Sequence, residues 1–341
     1  MAELKEVFEM VTKQTEPDLE SWKEQEDRQR KSARKRRIGG FAVAAAIVAI
    51  AVTVASVARL GGGGDETPAG GPDGPGLYAV NVETGDGTTF VRLPEGTAAA
   101  LLSSDGYASE SIALSPQADR LAYVVNDVDG SPQIFVMDVD GSGTEPRRLT
   151  QEPFAADAPA WSPDGSQIAY LGRVDGSWEV YVIDLEGTAP ATRITTEPAD
   201  VGSPSWSPDG LIFYNTDASE SGQGSQIIRS VDPGSGDTNT VVEDAGLPDV
   251  SPDGDQIAFN TWSRVKVTLA GIDGTTDRRI VPVDGRSGYA KWSPDGDRVA
   301  FNGLSGSVYV YDLVTDQTST VGRGEIVDWI DDQTVLVRLT A

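Results

Sequence analysis

Trp161-Ser162-Pro163-Asp164-Gly165-Ser166-Gln167-Ile168-Ala169-Tyr170 decides the fold, because it returns. Ser-Pro-Asp-Gly recurs at 162–165, 207–210, 251–254 and 293–296. Each copy joins a short apolar strand to a second one: Ile212-Phe213-Tyr214 follows the second copy and Val299-Ala300-Phe301 the fourth. Proline suits the second position of a type I turn and glycine the fourth, while an Asp carboxylate can accept from nearby backbone N–H groups. A period of about 40 to 45 residues marks a radially repeated β architecture.

A second half-motif completes each repeat. Ile134-Phe135-Val136-Met137-Asp138, Val180-Tyr181-Val182-Ile183-Asp184 and Val308-Tyr309-Val310-Tyr311-Asp312 alternate in the manner of strands, and runs such as 147–150 supply a fourth strand. Each repeat therefore reads as a four-stranded antiparallel blade. Aligned on the residue before Ser-Pro, the copies fall at Leu114, Trp161, Trp206, Val250, Trp292 and, in a degenerate copy, Trp329, spaced 47, 45, 44, 42 and 37 residues apart. The first second-half, Gly76-Leu77-Tyr78-Ala79-Val80, precedes any turn, and the last turn half, ending in Val335-Leu336-Val337, has nothing after it. Joining these two orphans closes a six-bladed ring and removes its exposed sheet edges. The Trp residues before the turns are expected to pack between strands.

The repeated W-S-P-D-G-x-x-I-A-F/Y followed by I-Y-V-x-D resembles the PD40, or WD40-like, repeat of TolB-type propellers, over about residues 76–341. The resemblance implies an all-β, six-bladed TolB-like β-propeller. It leaves function open, since such rings serve as binding platforms, as peptidase lids and occasionally as enzymes.

Composition narrows the choice. The chain has no Cys and no His, which excludes the usual zinc sites, thiol chemistry, disulfides and any Ser-His-Asp triad. No nucleophile elbow, phosphate loop or dinucleotide fingerprint is present. Asp138-Val139-Asp140-Gly141-Ser142-Gly143 imitates the start of a calcium loop, but its twelfth position is Leu149, and Asp127-Val128-Asp129-Gly130-Ser131 runs into Pro132. Both read as hairpin turns. The expectation is a protein that is not an enzyme and carries no cofactor, metal or catalytic residue. A cation-dependent hydrolase or lyase using channel acids is the alternative, although the aspartates sit mostly at the repeated turns.

Residues 38–58 are 21 uncharged residues, nine of them Ile, Val or Phe and eight Ala. As a helix they would extend about 31 Å, enough to cross a bilayer once. Ala55-Ser56-Val57-Ala58 offers a signal-peptidase-like site, but 37 residues precede the apolar run, which favours an uncleaved anchor. Arg28, Arg30, Lys31, Arg34, Lys35, Arg36 and Arg37 precede the span and only Arg59 follows closely, so the N-terminus is expected in the cytoplasm. Residues 59–75 read as a flexible Gly/Pro-rich linker, with a reach of roughly 20 to 25 Å for 16 such residues. Beyond residue 37 the chain holds 17 Lys or Arg against 44 Asp or Glu, which disfavours nucleic acid and suits a basic partner, divalent cations or simple solvation.

In the tail, Leu4, Val7, Phe8 and Val11 fall at i, i+3, i+4 and i+7, one face of an amphipathic helix, and Thr15-Glu16-Pro17-Asp18 has the pattern of a new helix start. Thirty-seven residues cannot bury a core, so this face needs a partner, the membrane surface or self-association. The layout of cytoplasmic helical tail, one transmembrane helix and outer domain is similar to membrane-bound anti-sigma regulators of bacteria, though the zinc-binding version is excluded. The expected partners are an extracytoplasmic protein or envelope ligand for the ring and a cytoplasmic regulator such as a sigma factor for the tail. A passive TolB-like envelope scaffold is the remaining alternative.

Overall fold

The computed structural model describes residues 76–91, 111–126, 130–139, 146–151, 155–186, 190–217, 226–303 and 306–339. The tail with Leu4, Val7, Phe8 and Val11, the apolar segment 38–58, the linker 59–75 and most of the two calcium-like loops lie outside these residues. Among the described residues there are strands and turns only, and no helix long and apolar enough to cross a membrane.

Six four-stranded antiparallel sheets form the blades of a propeller. Their innermost strands are Ile112–Leu114, Ala156–Trp161, Val201–Trp206, Ala245–Val250, Ser287–Trp292 and Glu325–Asp331, which begin blades one to six. The sixth blade is the expected composite: Gly76–Asn81 pairs with Thr334–Leu339, with Tyr78 opposite Val337 and Val80 opposite Val335. The outer strands of blades one, two and four are only two residues long, as in Arg147–Arg148 where the sequence pattern ran on to Thr150.

The repeated tetrapeptide forms one hydrogen-bonded unit at each copy. The fourth residue's N–H donates to the Ser carbonyl at 2.8–3.0 Å in all five Ser-Pro turns. Gly165, Gly210, Gly254 and Gly296 have φ between 70° and 91°, which is why glycine recurs there, and Ala118 takes the same left-handed conformation at 55° in the degenerate first copy. Ser162 Oγ donates to Asp164 Oδ1 at 2.7 Å and accepts from Gln167 N at 2.9 Å. Ser251 and Ser293 repeat both bonds.

The apolar core lies between blades. Phe213, Ile228 and Val242 of blade three pack with Val250, Ile257 and Phe259 of blade four. Ala122, Ile134 and Val136 of blade one pack with Trp161, Ile168 and Tyr170 of blade two. Each of the six blade junctions holds one such cluster, so no blade buries its faces alone.

At every junction a hydrogen bond also joins the motif position of one blade to the residue before the motif position of the preceding blade. Four of these bonds are indole donations: Trp161 to Ala113 O at 3.1 Å, Trp206 to Ala160 O at 3.2 Å, Trp292 to Asp249 O at 3.2 Å and Trp329 to Lys291 O at 2.9 Å. Where the motif position is not Trp, a side chain from the preceding blade accepts the backbone N–H instead: Ser205 Oγ from Val250 at 3.4 Å, and the Asp328 carboxylate from Leu114. Replacing Trp161 with Phe keeps most of the packing and removes one such tie. The expected cost is about 1 kcal/mol, read as a melting temperature lower by about 2–4 °C.

Candidate functional site

The innermost strands surround a funnel of about 410 Å³ that opens on the face carrying the Ser-Pro turns. Five of these strands carry a bulge at about the same place, with register shifts at 157/160, 202/205, 246/249, 288/290 and 326/328. Ala158, Ser203, Leu247 and Tyr289 sit at the bulges with φ of 50°, 45°, 56° and 41°. A bulge re-aims the residues that follow it, and here Pro159, Pro204, Pro248 and Ala290 reach the funnel wall together with the next residue in each strand. Pro116, Pro163, Pro208, Pro252 and Pro294, from the turns themselves, form the rim.

The residue before the motif position therefore lines the funnel in every blade. In blades one to three it is small: Ala113, Ala160 and Ser205. In blades four to six it is Asp249, Lys291 and Asp328, and these three make one charged group. Lys291 Nζ lies 2.9 Å from Asp249 Oδ1, with their side chains 22% and 13% exposed, and 5.5 Å from the centre of the Tyr289 ring. Asp249 Oδ2 accepts from Trp292 N at 2.9 Å. Asp328 accepts from Trp329 N at 2.9 Å and from the Leu114 N–H across the closing junction.

Burial works against the Lys291 ammonium, but the negative charges of Asp249 and its neighbours outweigh it and hold its pKa well above the ordinary lysine value. Burial pushes the Asp328 carboxyl up to about 6, with Asp249 adding to the rise while Lys291 and the two N–H donors oppose it. Asp157, on an inner strand of blade two, is also raised by burial, against the pull of Ala158 N at 2.7 Å and Ser111 Oγ at 3.0 Å. At the turns the direction reverses: the Ser166 N–H, with the Ser162 and Ser166 hydroxyls, holds Asp164 down to about 2.

A raised folded pKa means that the folded state binds more protons than the unfolded chain between about pH 4 and 6, so stability from this group falls as pH rises through that window. Asp328→Asn removes the charge and keeps a carbonyl that can accept from Leu114 N. The variant should gain on wild type as pH rises from 4 to 7, by on the order of 1–2 kcal/mol once funnel water is allowed for. Parallel urea titrations at pH 4.5 and pH 7 would read this difference. A constant offset between the two proteins would contradict it.

Among the described residues no three His, Cys, Asp or Glu side chains gather as a metal site. Asp249 and Asp328, the carboxylates that reach the funnel, are engaged by the Lys291 ammonium and by backbone N–H groups. Sequence reading placed the aspartates at the turns and missed these two. The signal was the change at the second position before the turn, small in the first three repeats and charged in the last three.

A closed ring of six such blades around one funnel is a six-bladed β-propeller. Residues 111–269 match the TolB beta propeller domain, PD40, and the ring is similar to TolB-like propellers. A Tol-Pal system protein TolB from Thioalkalivibrio sulfidiphilus (strain HL-EbGR7) is 36% identical over 69 residues, which is 20% of this chain and only 16% of that protein's length. Among solved structures, putative TolB from Agrobacterium tumefaciens superposes with a TM-score of 0.61 at 18% identity, covering 78% of this chain and 98% of that one. TolB from Acinetobacter baumannii gives 0.53 at 22% identity, covering 61% of this chain and 54% of that one. At these identities the superpositions speak for the fold alone.

Proposed function

We propose that this is a single-pass membrane protein whose propeller lies outside the cytoplasm and binds a protein or envelope ligand at the funnel of its turn face. The observation that carries the reading is the funnel itself, an apolar rim of prolines above the Asp249–Lys291–Asp328 floor. A rigid ring that presents variable residues from every blade at one opening suits recognition. Lys291 is locked into an ion pair, so it is poorly placed to act as a free base or nucleophile, and turnover is not part of this reading. The match to a protein of the Tol-Pal system supports an envelope setting.

Residues 38–58 would anchor the protein, with the basic cluster Arg28 to Arg37 keeping the tail inside. The face Leu4, Val7, Phe8 and Val11 would tether or relay to a cytoplasmic regulator such as a sigma factor. Because the chain contains no Cys, topology can be read with single introduced thiols. Ser235→Cys, on an exposed propeller turn, should react with a membrane-impermeant maleimide on intact cells. Ser21→Cys should react only after permeabilisation, and labelling of both thiols, or of neither, before permeabilisation would overturn the proposed topology.

A further inference from the structure

We infer that the funnel takes a cationic side chain, Arg or Lys, from a basic segment of its protein ligand. This rests on the ring being a recognition platform and adds the chemistry of what is recognised. Two carboxylates around one ammonium leave the floor with one negative charge in excess. Asp249 accepts from Lys291 Nζ and Trp292 N, and Asp328 from the Trp329 and Leu114 N–H groups. A carboxylate offers about four acceptor positions, so each has room for a further donor arriving from the mouth. The proline rim suits the methylene stem of a long basic side chain, whose charged head would continue to the floor.

The surrounding face agrees in sign. The third strand of a blade returns to it, and its connection to the fourth strand adds carboxylates beside the Ser-Pro-Asp turns: Leu185 N binds Ser166 O, Ile272 N binds Asp255 O and Leu313 N binds Asp297 O. Asp164 and Asp273, one from each tier, are held down to about 2 by backbone N–H donors and stay ionised. Two arginines of this face are engaged close to home. Arg120 lies over Trp161 at 5.0 Å and donates to Gly165 O, while Arg298 donates to Asp332 O and pairs with Asp312. Such a field draws a basic partner to the opening and repels nucleic acid.

The test places a photoreactive p-benzoyl-phenylalanine at Ile330, on the funnel wall, in the full-length protein in its native membrane, and sequences the captured peptide by mass spectrometry. The expected peptide carries Arg or Lys at the attachment point. Capture should fall about fivefold with Asp328→Asn, the effect of one lost charge contact, in protein whose near-ultraviolet circular dichroism is unchanged. It should stay within about twofold with Asp237→Asn, an exposed charge at the ring's edge. An uncharged or acidic captured segment, or a yield that ignores Asp328→Asn, overturns the inference and leaves the platform standing. Equal losses with Asp328→Asn and Asp237→Asn also overturn it, because they would mean diffuse attraction. No capture at Ile330 overturns both readings.

Discussion

Lys291→Met is expected to destabilise the propeller by about 3 kcal/mol at pH 7.5, the low end of the cost of stranding a buried charge. The side chain fills similar space, so packing is nearly kept. What is lost is the ammonium paired with Asp249, which is 13% exposed and lies close enough to Asp328 to raise its pKa. Without Lys291, whose charge opposes the rise, the Asp328 carboxyl would bind its proton more tightly still in the folded state. Stability should therefore fall further as pH rises, and the variant should approach wild type near pH 4.5. Urea unfolding at the two pH values measures this. Adding Asp249→Asn should restore most of the loss at pH 7.5, and a small pH-independent loss would mean that the funnel is wet enough to screen the group.

Removing the strands before residue 92 should have the larger effect. Compared with a chain beginning at residue 69, one beginning at 92 lacks Gly76–Asn81, whose Leu77, Tyr78 and Val80 are 1%, 8% and 6% exposed. Burial of three such side chains contributes about 5–9 kcal/mol, which is of the order of a whole domain's stability. The deletion also uncovers the edge of Thr334–Leu339, its partner over six residue pairs, and an open edge invites pairing between molecules. The shorter chain is expected to elute as oligomers without a cooperative melt. A monomer that melts like the longer chain would show that the ring does not need its composite blade.

Much of this architecture is legible in the sequence because it is local and repeated. Ser162-Pro163-Asp164-Gly165 makes its hydrogen bonds within six residues, so the turn, the glycine and the strand that follows can be read together. The composite blade is legible for a different reason: Gly76-Leu77-Tyr78-Ala79-Val80 and Val335-Leu336-Val337 each lack a half that the other supplies. The indole of Trp161 reads as packing, but its bond to Ala113 O crosses to another blade, and nothing within one repeat indicates it. The funnel floor is harder still to foresee. Asp249, Lys291 and Asp328 lie 42 and 37 residues apart, and only the closed ring with its bulged inner strands sets them around one axis. Each looks alone like an ordinary residue beside a turn.

The most direct test of an anchored recognition platform is a crosslinking pull-down from native membranes with three proteins: the full chain, the full chain with Ala160→Trp, and a chain lacking residues 1–37. Ala160 lines the funnel, and an indole there would fill much of the opening while the turns and blade ties remain. The expected result is one envelope protein recovered with the full chain and with the tail deletion, and lost at least about tenfold with Ala160→Trp, as for a blocked central contact. A cytoplasmic regulator recovered only when residues 1–37 are present would add the relay. Recovery of the same envelope protein in full yield by the plugged ring would contradict recognition at the funnel.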